Sequence, residues 1–299
     1  MLLASLWSPS FLFIKVAVQE VPPMTLVSLR VTLAAIILLM VLRWRGVELP
    51  KSRLFWAYTA GMATFSSVIP FCCFSYAEQT IDSALAALIN GSSLMFTAVL
   101  AQIFIASDRL NPQKILGIIL SIVGLVLLFA TELFSGVSGT TLGMISATVA
   151  AFSYAASHVY GKIFNTGQKA LVAPTAQCIA AAVLLWPFAL VFDQPWTLPI
   201  PSNASMLSIC GLAVLGTVCA FIVYYYILEH CGPTAVSTVA CFFPVGGMLL
   251  GYLFLDETFT AWSMLASLVI LLGMFFVNGI LKFPERRKVP AVEGLSPSD

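Results

Sequence analysis

Apolar runs of about twenty residues, separated by short charged or proline-bearing breaks, recur along the whole of this 299-residue chain. Runs of that length span a hydrocarbon core of roughly 30 Å, and a helix satisfies its own backbone groups there. They fall at about 3–19, 24–42, 54–77, 83–105, 114–131, 140–161, 170–192, 206–228, 234–254 and 261–281. The predicted class is therefore an all-α membrane protein with ten transmembrane helices. Composition agrees: 60% of residues are hydrophobic and 9% are charged, against roughly 25% charged in soluble domains.

The chain also repeats itself, which narrows the architecture further. Ser83 to Leu128 reads SALAALINGSSLMFTAVLAQIFIASDRLNPQKILGIILSIVGLVLL, and Pro233 to Val277 follows the same order: small-residue apolar run, acidic turn, second apolar run with an internal Gly. With one extra residue at the turn, Phe104 aligns with Phe254, Leu110 with Phe259 and Gly124 with Gly273. Upstream, Lys15 aligns with Lys162 and Arg30 with Gln177. The expected domains are a first five-helix repeat at 1–131, a second at 139–281 and a disordered cytoplasmic tail at 282–299. Five is odd, so the second repeat enters the membrane inverted relative to the first.

Orientation follows from the basic residues, which gather in cytoplasmic loops. With both termini inside, Arg43, Arg45, Lys51, Arg53, Arg109, Lys114, Lys162, Lys169 and the run from Lys282 to Lys288 share one side. No Lys or Arg then falls in an outer loop. The expected location is the cell (plasma or inner) membrane, crossed many times. A formal net charge of +1 gives no electrostatic footprint for nucleic acid. The seven cysteines lie in or beside apolar spans without metal-ligand spacing, so no metal or other cofactor is expected. The expected partners are a small-molecule metabolite and the bilayer, and the sequence is compatible with a homodimer.

Apart from Lys114 at the first position of its run, only Lys15 and Arg30 place a Lys or Arg within the spans. Lys15 stands near an outer end, where a long side chain snorkels to the interface or turns into a pore. Arg30 lies about two turns into its span. Such a group is costly in lipid and faces protein or a water-filled cavity, either in a functional role or paired with Glu20, Glu78 or Asp82. Tyr76 closes a polar span end, and Asn90, Ser92 and Ser93 put an amide and hydroxyls near mid-membrane, where the second copy has Phe242, Phe243 and Pro244. A helix broken at matching places in two halves is a pointer to a transporter's binding site. Asn90 equally suits an interhelical hydrogen bond. Stripes of small residues, Ser83/Ala87/Gly91 and Gly143/Ala147/Ala151/Ala155, predict close helix packing. His158, Gln177 and Tyr225 complete the candidates for a substrate cavity. His158 also reads as a structural residue or a proton carrier, and no Asp or Glu lies deep in a span.

Two tandem five-helix units, each with an acidic turn after its fourth helix, resemble the EamA-type branch of the drug/metabolite transporter superfamily. LWSPSFLFIK with its following Pro turn and SLRV is similar to that family's opening, and GYLFLDETFT with Gly273 to its repeat signature. The likeness runs from Leu6 to Leu281. Two departures are Leu94, where the family commonly has Pro, and the turn SDR in place of a Gly-Glu-Arg-like turn. The resemblance implies ten helices as an inverted repeat about a central cavity, and movement of small metabolites such as amino acids or their relatives, often as efflux.

Three functional classes stand open at this stage. A secondary carrier working by alternating access is expected from the inverted repeat. A signalling or assembly subunit of the same fold is the second. A membrane-embedded enzyme is the third, and the chain has no HExxH, no GxSxG and no carboxylate pair within a span to support it.

Overall fold

The computed structural model describes residues 2–105, 110–134, 138–164, 171–231 and 242–281. Within them the chain is helical. Seven helices are long and apolar enough to cross a membrane: α2 (Pro23–Trp44), α3 (Arg53–Ala77), α4 (Ser83–Phe104), α5 (Pro112–Ala130), α6 (Gly139–Ile163), α7 (Val172–Asp193) and α8 (Asn203–Ile227). Three shorter apolar helices accompany them: α1 (Leu2–Ala17), α9 (Phe243–Phe254) and α10 (Ala261–Val277). The first acidic turn with Arg109, Lys169, the start of the expected ninth span with Ala240, and the tail lie outside the described residues.

Local chemistry sets the helix boundaries. α2 opens on Pro23, whose missing N–H is lost where the helix has no use for it. Hydroxyls cap three others: Ser138 trades bonds with Thr141 in a capping box, Ser202 accepts from Ser205, and Thr260 accepts from Ser263. Inside the membrane region α3 widens to a π-turn at Thr64–Val68, just before Pro70. α7 widens at Ala189–Asp193, just after Pro187, and α8 at Val214–Cys219 around Gly216. Such turns frequently mark functional positions. α4 carries a turn at Ser92, whose hydroxyl donates to the Ile89 carbonyl at 2.6 Å.

The helices pack in cross-chain pairs: α5 on α10, α2 on α7, α4 on α9, α3 on α6 and α1 on α8. Small residues make the contacts. A Cβ at Gly117 would meet the Gly273 carbonyl at 2.6 Å, and one at Gly124 would meet the Ile270 amide at 2.9 Å, so α5 and α10 touch backbone to backbone. Gly247 lies against Ala87 between α9 and α4. Ala147, Ala151 and Ala155 of α6 are fully buried, and Gly143 packs on the Ala77 carbonyl. Large apolar side chains such as Ile103, Val183, Phe192 and Leu207 point outward, as lipid-facing residues do.

Candidate functional site

Arg30 is the charged group that the fold buries deepest in α2, with 4% of its surface exposed. Burying a cation without partners is strongly unfavourable, so its surroundings are informative. Its Nε donates to Thr217 Oγ1 at 3.1 Å, and that hydroxyl donates in turn to the Leu212 carbonyl at 2.9 Å. The π-turn of α8 makes this possible by widening the helix between Leu212 and Thr217. The guanidinium carbon sits 3.8 Å from the centroid of the Phe71 ring, in cation–π range. Tyr154 and Cys178 are near enough to act electrostatically on the cation. Ser10 of α1 approaches through Gly216: a Cβ there would lie 2.6 Å from the Ser10 hydroxyl and 3.7 Å from Arg30 Nη2. Among the described residues the hydrogen bond goes to a hydroxyl, and Glu78 acts on Arg30 only through space. The pairing with Glu20 or Asp82 considered from sequence does not form. Ser10 Oγ and Ser28 Oγ are buried without a hydrogen-bond partner among the described residues.

Two other sequence candidates join this cluster. Gln177, buried on α7 beside Cys178, faces the Tyr225 hydroxyl. Tyr225 stands edge-on to Tyr224 with centroids 5.1 Å apart, Tyr224 packs on Trp7 at 5.8 Å, and Trp7 on Phe243 at 5.0 Å. This aromatic chain runs from the Arg30 region to the start of α9, where Phe242 takes the N-cap position and Pro244 covers Gly91. Asn90 lies one residue before Gly91, with Oδ1 buried and without a hydrogen-bond partner among the described residues.

The remaining candidates lie elsewhere. His158 is exposed on α6 and contacts Thr97 Oγ1 through Nδ1 at 3.3 Å. Tyr76 is 49% exposed. Lys15 donates to the carbonyls of Glu78 at 3.0 Å and Ile81 at 2.7 Å, tying α1 to the turn between α3 and α4.

At this Lys15 end, carboxylates bind helix N-termini across the chain. Glu257 accepts from the Ser83 and Ala84 amides at 2.7 and 3.0 Å; Asp193 accepts from the Thr25 amide and hydroxyl at 2.6 and 2.9 Å. Glu20 accepts from the Ser202 amide at 2.5 Å. Unsatisfied N–H groups and the helix dipole make these ends natural anion sites. The Ser202 backbone hydrogen bond holds the Glu20 carboxyl below its ordinary range, while burial, helped by Glu257, raises that of Asp82. A cleft of about 390 Å³ opens among Lys15, Gln19, Glu20, Asp82, Ser202 and Glu257.

Sequence reasoning missed Ser10, Phe71, Tyr154 and Thr217 around Arg30. No single-residue signal marks them, because the π-turn that aims Thr217 arises from packing. Among the described residues no group of three His, Cys, Asp or Glu side chains is placed to hold a metal.

Comparison with known proteins fits this picture. The EamA-like transporter family matches twice, over residues 1–130 and 141–279. The uncharacterized inner membrane transporter YedA of Escherichia coli (strain K12) is 26% identical, covering 96% of this chain and 92% of its own. The uncharacterized transporter YoaV of Bacillus subtilis (strain 168) is 22% identical over 90% of this chain and 92% of its own. A probable amino-acid metabolite efflux pump of Escherichia coli (strain K12) is 25% identical, over 92% of each chain. One solved crystal structure, 18% identical, shares the fold with a TM-score of 0.67, covering 93% of this chain and 95% of that one. These names point to transport rather than catalysis.

Proposed function

Proceeding from the EamA-like transporter family, to which this chain belongs, we propose that it exports a small carboxylate-bearing metabolite by alternating access, with Arg30 as the anchor. The observation that carries the reading is a buried guanidinium bonded to a hydroxyl and stacked on Phe71, with no ion pair to a carboxylate among the described residues. A guanidinium held in plane presents its remaining N–H groups as a fork that matches a carboxylate. The Ser10 and Ser28 hydroxyls and Asn90 Oδ1, buried and without partners among the described residues, suit a polar ligand. An amino acid or close relative fits this chemistry, and the name of the efflux-pump relative supports that class.

Alternating access needs two halves that rock about a shared site. Relating each helix to the one five places on sends α2 to α7, α4 to α9 and α5 to α10. The α3/α6 and α1/α8 contacts exchange under the same operation, so the observed pairing supports the two inverted five-helix repeats expected at 1–131 and 139–281. The basic residues Arg43, Arg45, Lys51 and Arg53 gather around the α2–α3 connection, at the end opposite Lys15. On the positive-inside rule that end is cytoplasmic, as are both termini, and the Lys15 end is outer.

The test is substrate counterflow in proteoliposomes with an amino-acid panel. Arg30→Gln should raise KM by roughly tenfold to 150-fold, matching about 1.5–3 kcal/mol for a charge-assisted hydrogen bond, with Arg30→Lys in between. Unchanged kinetics of Arg30→Gln for every anionic and zwitterionic substrate would overturn the assignment.

A further inference from the structure

The Lys15 end buries one acid completely without a hydrogen bond to its carboxyl among the described residues. Glu20, Asp193 and Glu257 each accept backbone N–H groups. Glu78, in the turn one residue beyond α3, is fully buried, and neither of its carboxyl oxygens has a hydrogen-bond partner among the described residues. Its neighbour Lys15 does not supply one, because that ammonium donates to the main-chain carbonyls of Glu78 and Ile81. The charges that act on Glu78 are Lys15 from α1, Arg30 from α2 and Glu257 from the α9–α10 turn. Asp82 stands in the same turn. The start of α6, which packs on this turn through Gly143, carries no titratable residue between Ser138 and Ala147. Lys15 and Arg30 favour ionisation and only Glu257 opposes it, so desolvation is what pushes Glu78 the other way.

An ionised carboxylate buried without hydrogen bonds is strongly disfavoured relative to its neutral acid. We propose that Glu78 is a proton-binding site that links protonation to closure of the Lys15 end: the end is shut when the carboxyl holds a proton and opens as it ionises into water. Burial, opposed by Lys15, holds Glu78 in the closed arrangement well above the ordinary carboxylate range of about 4.5. The sign follows. Closure is unpenalised below the open-state value, and loses up to about tenfold in population per pH unit above it until the closed-state value is passed. On the transport reading, from which this consequence is drawn, external acid would favour the occluded side of the cycle. The proton site itself stands on packing alone.

Amide exchange of Ser83 and Ala84, the two N–H groups that Glu257 holds, reports opening directly. The experiment is hydrogen–deuterium exchange of the full chain in lipid nanodiscs across the mildly acidic to neutral range, corrected for intrinsic rates. The wild type should open progressively as pH rises, and Glu78→Gln, a permanent mimic of the protonated acid, should stay protected with a flat profile. A Glu78→Gln profile that tracks the wild type, or a wild type without pH response, overturns the proposal. Should the variant not fold, infrared difference spectra of wild type with ¹³C-labelled glutamate decide. A buried protonated carboxyl band that disappears as the end opens supports the site, and its absence refutes it. External-pH dependence of counterflow separates the two readings. Exchange that responds to pH in a protein that transports nothing leaves the proton site and removes the carrier, whereas transport with no pH response in exchange removes the proton site.

Discussion

Gly117 and Gly161 both lie inside helices, so alanine at either brings the same intrinsic gain of about 0.5–1 kcal/mol. Only the surroundings differ. A methyl at 161 would meet the Met62 methyl at 3.5 Å, an ordinary contact. A methyl at 117 would lie 2.6 Å from the Gly273 oxygen and 2.7 Å from the Val277 nitrogen. Both are main-chain atoms, so no rotamer change relieves the clash. α5 and α10 must part by about 0.8 Å before the oxygen reaches the 3.4 Å at which Cβ contacts become ordinary. Overpacking of this kind costs about 1–3 kcal/mol. The intrinsic gain cancels between the variants, so Gly161→Ala should exceed Gly117→Ala in stability by that amount. At roughly 2–4 °C per kcal/mol the gap in Tm is about 2–12 °C. Thermal unfolding of both proteins in nanodiscs, followed by circular dichroism, measures it. Coincident midpoints would show that the α5–α10 seam is not closed backbone to backbone, and the packing scheme would fail with it.

Two further perturbations probe the site and the Lys15 end. Thr217→Val removes the acceptor that fixes Arg30 Nε and should raise KM for the transported carboxylate about five- to tenfold, with kcat little changed and Thr217→Ser close to wild type. Glu257→Gln keeps the side-chain shape but withdraws the negative charge from the α4 N-terminus, and should speed exchange of the Ser83 and Ala84 amides by about tenfold at neutral pH, or roughly 1.4 kcal/mol.

Sequence patterns carried the helices and their small-residue faces because both depend on local chemistry. Run length, Pro23 and the capping hydroxyls mark helix ends without reference to anything distant. The small residues Ala87, Gly143 and Ala147 announce close contacts, although the Gly124–Gly273 alignment does not show that Gly117 is the residue lying on Gly273. Arg30 was legible because a cation within a span requires an explanation. Thr217 and Phe71 were not, since their service to Arg30 depends on a π-turn and on the approach of α8 and α3. Lys15 reads from sequence as a snorkelling or pore-facing cation, yet its ammonium closes a neighbouring turn. That choice is set by carbonyls 63 and 66 residues away along the chain. The acids were readable as span-end residues, but not as caps on helices far off in sequence.

Those caps bear on how the chain is made. The α2 N-terminus at Thr25 is completed by Asp193, 168 residues later, and that of α4 at Ser83 by Glu257, 174 residues later. At a synthesis rate of roughly 5–20 residues per second, the first helices wait about 9–35 s for the side chains that satisfy them. Through that interval their exposed amides depend on water and lipid headgroups at the bilayer surface. A ribosome that stalls before Glu257 leaves in the membrane a bundle that is inserted but unfinished, and such a chain is ready prey for membrane quality control.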